Sequence, residues 1–137
     1  MLTSNEKQVV FYQKIGELFY AIAAADKVVR EQEYKALKKL VQAEWTSIDD
    51  YKDEFNTDAV FQMEIVFEWF EYEQMDADDC FESFKEYFQE NRKLFTEKRR
   101  QLIWKTANKI AASFSGKNKS ELIMLTKLLS VLQEDTV

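Results

Sequence analysis

The sequence predicts an all-α fold, a compact bundle of about six to seven helices. Its 137 residues include no Pro and only two Gly, so the usual loop punctuation is absent. Apolar residues recur at spacings of three and four, the period of a helix, and no segment indicates a confident strand. A chain of this length buries roughly two thirds of its unfolded surface, so one domain over residues 1–137 is expected.

The first two predicted helices form a hairpin. The first covers Ser4–Ala25 and the second about Glu31–Glu44, and the polar residues 46–54 that follow have room for one short turn. The residues predicted to face inward are Ile15, Leu18, Phe19, Ile22 and Ala23 in the first helix, and Tyr34, Leu37, Leu40 and Val41 in the second.

The third predicted helix, Thr57–Tyr72, has Thr57 or Asp58 as its N-cap. Its apolar residues are spread over most of the circumference, and they are Val60, Phe61, Met63, Ile65, Val66, Phe67, Trp69 and Phe70. Such a distribution is typical of a helix that is packed on several sides. This helix is therefore expected at the centre of the bundle.

Three more helices are predicted in the second half of the chain. The fourth lies near Asp78–Asn91, the fifth starts after Thr96, and the sixth begins at Asn118 with a relaxed capping box to Glu121. Their predicted inner faces are Phe81, Phe84, Tyr87 and Phe88; then Leu102, Ile103, Thr106, Ile110 and Phe114; then Leu122, Leu125, Leu128, Leu129 and Leu132.

The first and last hairpins resemble each other at an offset of 88 residues. The matched pairs are Ile15 with Ile103, Ile22 with Ile110, Ala23-Ala24 with Ala111-Ala112, Glu33 with Glu121, Leu37 with Leu125, and Leu40 with Leu128. We therefore expect two pseudo-repeated hairpins around a central aromatic helix pair.

The composition excludes several classes of chemistry. Without His, the chain has no imidazole base or ligand, and its single Cys80 forms neither an intramolecular disulfide nor a Cys-cluster metal site. Gly16 and Gly116 are too few for a phosphate-binding loop. We expect no enzymatic activity and no catalytic residues. The polar start of the chain and the lone thiol favour the cytoplasm.

Charge is unevenly distributed along the chain. Residues 1–43 hold 7 basic and 5 acidic residues, residues 44–90 hold 2 and 16, and residues 91–137 hold 10 and 4. The net charge of −6 is thus an acidic middle of −14 between arms of +2 and +6. Direct nucleic-acid binding is disfavoured, because it requires a basic footprint.

The segment Ala23-Ala24-Ala25-Asp26-Lys27-Val28-Val29-Arg30-Glu31-Gln32-Glu33 resembles the signature hairpin of the TerB-like (tellurite resistance protein TerB) family. Ala25-Asp26 and Glu33 match the signature, whereas Lys27 stands where the family usually has Gly. The second copy, at 114–121, keeps the Glu but has Phe114 in place of the Asp. The resemblance implies a small, non-enzymatic cytoplasmic helical domain linked to stress response and to membrane-associated assemblies, so peripheral association with a membrane complex is expected. Separately, the acidic and aromatic middle of the chain predicts a protein partner, and we expect a monomer or weak dimer.

Asp26 and Glu33 have two interpretations. As capping residues, they would stabilise the N-terminus of the second helix. The resemblance also implies a divalent-cation role for these positions, and two carboxylates could contribute to a weak Ca²⁺ or Mg²⁺ site whose other ligands are water or backbone oxygens. Capping is the simpler interpretation. The run Asp76-Ala77-Asp78-Asp79 lacks the spacing of a calcium loop and is typical of a helix start.

Glu64, Glu68 and Glu71 recur at helical spacing beside the aromatic residues, as do Glu82, Glu86 and Glu90. A solvated face is the simplest interpretation, an acidic docking surface for a basic protein partner is the second, and paired-carboxylate catalysis is a remote third. The aromatic residues themselves are expected to form the core, with an exposed apolar groove for a partner helix or lipid as the alternative. Cys80 is expected to be a small core or boundary residue.

Overall fold

A computed structural model describes residues 4–25, 59–113 and 119–133, together with residues 35, 38, 39, 43 and 45. These parts of the chain are helical, with no strand among the described residues, so the predicted all-α class is confirmed. The five continuous helices are α1 (Ser4–Ala23), α2 (Ala59–Glu73), α3 (Ala77–Glu90), α4 (Glu97–Ser113) and α5 (Lys119–Leu132). A 3-10 turn, Arg92–Leu94, joins α3 to α4.

The predicted helix boundaries agree with the structure to within two residues where both are described. The helix α1 ends at Ala23, and α3 is capped by Asp76, whose Oδ2 accepts a hydrogen bond from the Asp79 N–H at 3.0 Å. The acidic run at 76–79 therefore caps a helix, as predicted. The predicted caps Thr57, Asp58 and Asn118 and the turn at 46–54 lie outside the described residues, and so does most of the second predicted helix, including Tyr34, Leu37, Leu40 and Val41.

The central helix is α1, which packs against each of the other four continuous helices. Its predicted inner stripe is buried, and so are residues on either side of that stripe, including Phe11, Tyr12 and Tyr20. Gly16 lies at the crossing with α2, where a Cβ atom would be only 2.7 Å from the Met63 carbonyl oxygen. The absence of a side chain at Gly16 therefore allows the two backbones to approach closely.

The prediction that α2 is packed on several sides is wrong. Met63, Val66, Phe67 and Phe70 are buried, but Phe61, Ile65 and Trp69 are exposed. Hydrophobicity around the whole helix showed only that α2 could be buried on any side, and α1 covers one side. The expected central pair of α2 and α3 is correspondingly replaced by α1 as the element to which both are packed.

The core inside α3, α4 and α5 follows most of the predicted inner faces. Phe81, Phe84 and Phe88 are buried, Tyr87 is half-buried, and Leu102, Ile103, Thr106 and Ile110 are buried, while Phe114 lies outside the described residues. In α5, Leu125, Leu128 and Leu132 are buried, but Leu122 and Leu129 are exposed, so those two assignments are wrong. They lie on the outer side of an otherwise correctly predicted helix.

Trp45 is part of this core. It is fully buried, and its indole N–H donates to Thr106 Oγ1 at 3.1 Å. The rings of Tyr12 and Phe19 meet it edge-on, with centroids 6.4 and 6.2 Å away. A buried tryptophan with a satisfied N–H is a strong packing anchor.

Candidate interaction surface

The outer side of α2 carries an exposed apolar stripe, which we define as Phe61, Ile65, Trp69 and Tyr72. Their exposed fractions are 50%, 40%, 58% and 86%. Spacings of four, four and three residues keep the four side chains within an arc of about 80° and along about 17 Å of helix. Contiguous exposed apolar residues of this kind are typical of an interaction site.

The opposite side of α2 fixes the orientation of the stripe. Tyr20 of α1 packs edge-on against Phe67 and Phe70, with centroid distances of 5.6 and 5.9 Å. Near the start of α2, the Gln13 amide donates to Gln62 Oε1 at 3.3 Å. Because the buried side of α2 is held on α1 at both ends, the apolar stripe must face away from α1.

The three predicted partner-binding acids lie together along one edge of this stripe. Glu68 is the most exposed of them, with 58% of its side chain accessible, and its Oε1 is 3.5 Å from Lys38 Nζ. Glu64 is half-buried. Glu71 is half-buried and accepts a hydrogen bond from the Gln74 amide at 3.3 Å, and burial raises the pKa of its carboxyl. The edge is acidic, and a lysine of the same chain already contacts it.

Acidic residues greatly outnumber basic residues along α2 and α3. Residues 59–90, which span α2 and α3, contain ten acidic residues and one basic residue, Lys85. Glu73 adds an exposed carboxylate at the end of α2, on the side of the stripe away from Glu68. Carboxylates therefore flank the stripe on both sides, and their negative electrostatic potential attracts cationic groups.

A cleft of about 290 Å³ lies where α1 ends and the α2–α3 turn begins. It is lined by Tyr20, Ala24, Ala25, Glu71, Gln74, Met75, Asp76, Ala77 and Asp78. The Tyr20 hydroxyl donates to the Met75 carbonyl at 2.9 Å, and burial, reinforced by the Glu71 carboxylate, raises its pKa to about 12. Tyr20 is thus a neutral structural donor that lines the cleft.

Cys80 lies in the core, as predicted. It is 2% exposed, and burial, reinforced by the Glu17 carboxylate, raises the pKa of its thiol to about 12. A reactive cysteine requires an accessible thiolate, so this residue is a packing residue rather than a nucleophile.

The sequence did not anticipate a polar cluster between α1 and α3. Lys14 Nζ donates to Ser83 Oγ at 2.7 Å and to Glu17 Oε1 at 3.2 Å, and Ser83 Oγ donates to the same Glu17 oxygen at 3.1 Å. The Ser83 hydroxyl and the Lys14 ammonium group both donate to the largely buried Glu17 carboxylate, so the cluster joins α1 and α3. Ser83 lies 69 residues from Lys14, and no local pattern could have identified the contact.

The predicted metal ligands Asp26 and Glu33 lie outside the described residues. Within the ranges that the structure describes, no group of three or more acidic or Cys side chains could hold a metal ion. Among the same residues, no helix is long and apolar enough to cross a membrane.

No protein-family model matches the chain, and neither a curated protein nor a solved structure is significantly similar to it.

Proposed function

We propose that this protein is a non-enzymatic, TerB-like helical scaffold of the cytoplasm that binds a protein partner through the acidic and aromatic surface of α2. The exposed apolar stripe of α2 is the single observation that carries the proposal. Four large apolar side chains lie in line on one helix while the opposite side of that helix is buried on α1. Solvent exposure of this much aligned apolar surface is unfavourable unless a partner covers it.

The finer architecture forms part of the same proposal: a single domain over 1–137 with two related hairpins. The burial of matched residues supports the repeat, because Ile15 and Ile103, and likewise Ile22 and Ile110, are all fully buried. Ala23 and Ala111 are fully buried as well. The link to tellurite and stress response depends on the resemblance of residues 23–33 alone.

The cation-sensor alternative, with Asp26 and Glu33 as Ca²⁺ or Mg²⁺ ligands, stays a prediction. A thermal melt with and without each ion would test it. A rise of several degrees in the melting temperature would support binding, because a ligand specific for the folded state stabilises that state.

An affinity capture with surface variants tests the scaffold proposal. We expect that Trp69→Ser combined with Phe61→Ser removes partners that the wild-type chain retains from its native extract. The control combines Ile123→Ser with Leu129→Ser, which removes two exposed aliphatic side chains from α5. Partners that survive the α2 variant, or that both variants lose equally, would contradict the proposal.

A further inference from the structure

We propose that the occupant of the α2 apolar stripe is a basic amphipathic helix of a partner protein, lying along α2. This inference rests on the proposed function and specifies the chemistry of the partner.

The shape of the stripe favours a helix. Phe61, Ile65 and Trp69 form a ridge at i, i+4 and i+8, the row of side chains that fits between the corresponding rows of a second helix. The backbone groups of α2 are engaged within the helix, so an extended peptide could not add to it as a strand. An apolar row of about 17 Å matches three turns of a partner helix.

The charge around the stripe favours a basic occupant. Glu64, Glu68 and Glu71 along one edge of the stripe and Glu73 along the other make a cationic partner complementary. A second copy placed with its own α2 on this stripe would bring like acidic edges together, which is unfavourable. An anionic lipid surface would be repelled for the same reason.

The contact between Lys38 and Glu68 shows that an ammonium group can approach this edge. Their charged atoms are 3.5 Å apart, and both side chains remain partly exposed, at 36% and 58%. Lysine or arginine side chains of a bound helix would make contacts of the same type at Glu68 and at the exposed Glu73 on the other side of the stripe.

Trp69 and Tyr72 are the expected anchors. Large aromatic residues dominate the binding energy of protein interfaces, and truncation of such an anchor commonly weakens binding by tenfold or more. Because Trp69 and Tyr72 are 58% and 86% exposed, their removal should affect binding far more than folding.

Isothermal titration calorimetry of the full chain with three synthetic peptides tests the inference. The first peptide is an 18-residue helix with Leu at i, i+4, i+8 and i+11 and Lys on the flanks. The second keeps the Leu positions and replaces Lys with Glu, and the third has the composition of the first with the Leu residues scattered. We expect that only the first peptide binds, with affinity at least about tenfold weaker for Trp69→Ala. The control variant Ile123→Ala should bind like the wild type, and circular dichroism verifies that both variants fold.

The charge dependence is tested with neutralising variants. Glu68→Gln combined with Glu73→Gln should weaken binding of the Lys peptide, whereas Glu90→Gln, an exposed acid at the end of α3, should change it much less. Binding that is insensitive to Trp69, or equal binding of the scattered peptide, would overturn the inference. So would failure of the Lys peptide to bind.

The outcomes also separate this inference from the proposed function. Equal, Trp69-dependent binding of the Lys and Glu peptides would overturn the basic partner but leave α2 as a docking surface. Trp69-dependent self-association in sedimentation equilibrium would replace the partner with a second copy, and Trp69-dependent binding to phosphatidylserine-containing vesicles would replace it with a membrane. If the Lys peptide does not bind, and the α2 variant still captures the same partners as the wild type, both proposals are contradicted.

Discussion

Gly16 is the residue at which local preference and tertiary packing oppose each other. In the interior of a helix, Gly is less favourable than Ala by about 1 kcal/mol. At this position, however, a Cβ atom would lie 2.7 Å from the Met63 carbonyl oxygen and 3.0 Å from the Met63 Cα. Both atoms belong to the backbone of α2, so a rotamer change cannot relieve the clash.

We expect Gly16→Ala to destabilise the protein by about 1–3 kcal/mol, because the added methyl group forces α1 and α2 apart. Urea denaturation followed by circular dichroism would measure the change. Lys7→Ala at an exposed position of α1 serves as a control for helix propensity, with an expected change within about 0.5 kcal/mol. Stabilisation by Gly16→Ala would show that propensity outweighs the close approach.

At the scale of elements, polar contacts supplement hydrophobic packing where α1 meets α3. Glu17 is 7% exposed and accepts hydrogen bonds from Lys14 of its own helix and from Ser83 of α3. A carboxylate this deeply placed requires such partners. The cluster therefore defines the register between the two helices in a way that interchangeable apolar contacts do not.

Glu17→Ala should lower the free energy of unfolding by about 1–3 kcal/mol, because the Ser83 and Lys14 donors lose their shared acceptor. Glu82→Ala, which removes an exposed carboxylate of α3, is the matched control and should change it by less than about 0.5 kcal/mol. A double-mutant cycle with Ser83→Ala would isolate the coupling between the helices. Additivity of the two changes would exclude a cooperative cluster.

The elements themselves were largely predictable, because helix spacing and the absence of Pro determine where α1, α2, α3 and α4 run. Helical spacing places Glu64, Glu68 and Glu71 along one edge of α2. Periodicity could not predict which side of the all-round apolar α2 would meet α1, so the exposure of Phe61, Ile65 and Trp69 was missed. The Lys14–Ser83 and Lys38–Glu68 contacts depend on tertiary packing, about which local sequence carries no information.

For the whole molecule, the raised pKa values of Cys80, Tyr20 and the half-buried Tyr87 make stability depend on pH in the alkaline range. Burial raises the pKa of Cys80 from 9.0 to about 12, and those of Tyr20 and Tyr87 from 10.0 to about 12. The unfolded chain releases these protons first. As pH rises above the unfolded values, the unfolded state therefore binds fewer protons than the folded state, and stability falls.

The three protonated groups therefore contribute stability to the folded state. We expect this contribution to the free energy of unfolding to be fully present below about pH 9 and to be lost progressively up to about pH 12. Urea titrations at a series of pH values would measure the decrease. In Cys80→Ala, the decrease due to these groups should begin nearer pH 10, because only the tyrosines then contribute. An unchanged profile in both Cys80→Ala and Tyr20→Phe would contradict the assignment.

The placement of the three tryptophans gives the molecule separate optical probes of its interior and surface. Trp45 is fully buried, Trp104 is half-buried and Trp69 is 58% exposed. An aqueous quencher such as acrylamide should therefore quench the fluorescence of Trp69 readily and leave that of Trp45 largely unquenched. A partner that covers the α2 stripe would shield Trp69 and shift its emission to shorter wavelength, whereas unfolding would expose Trp45. Single-tryptophan variants would thus distinguish occupancy of the surface from loss of the core without any added label.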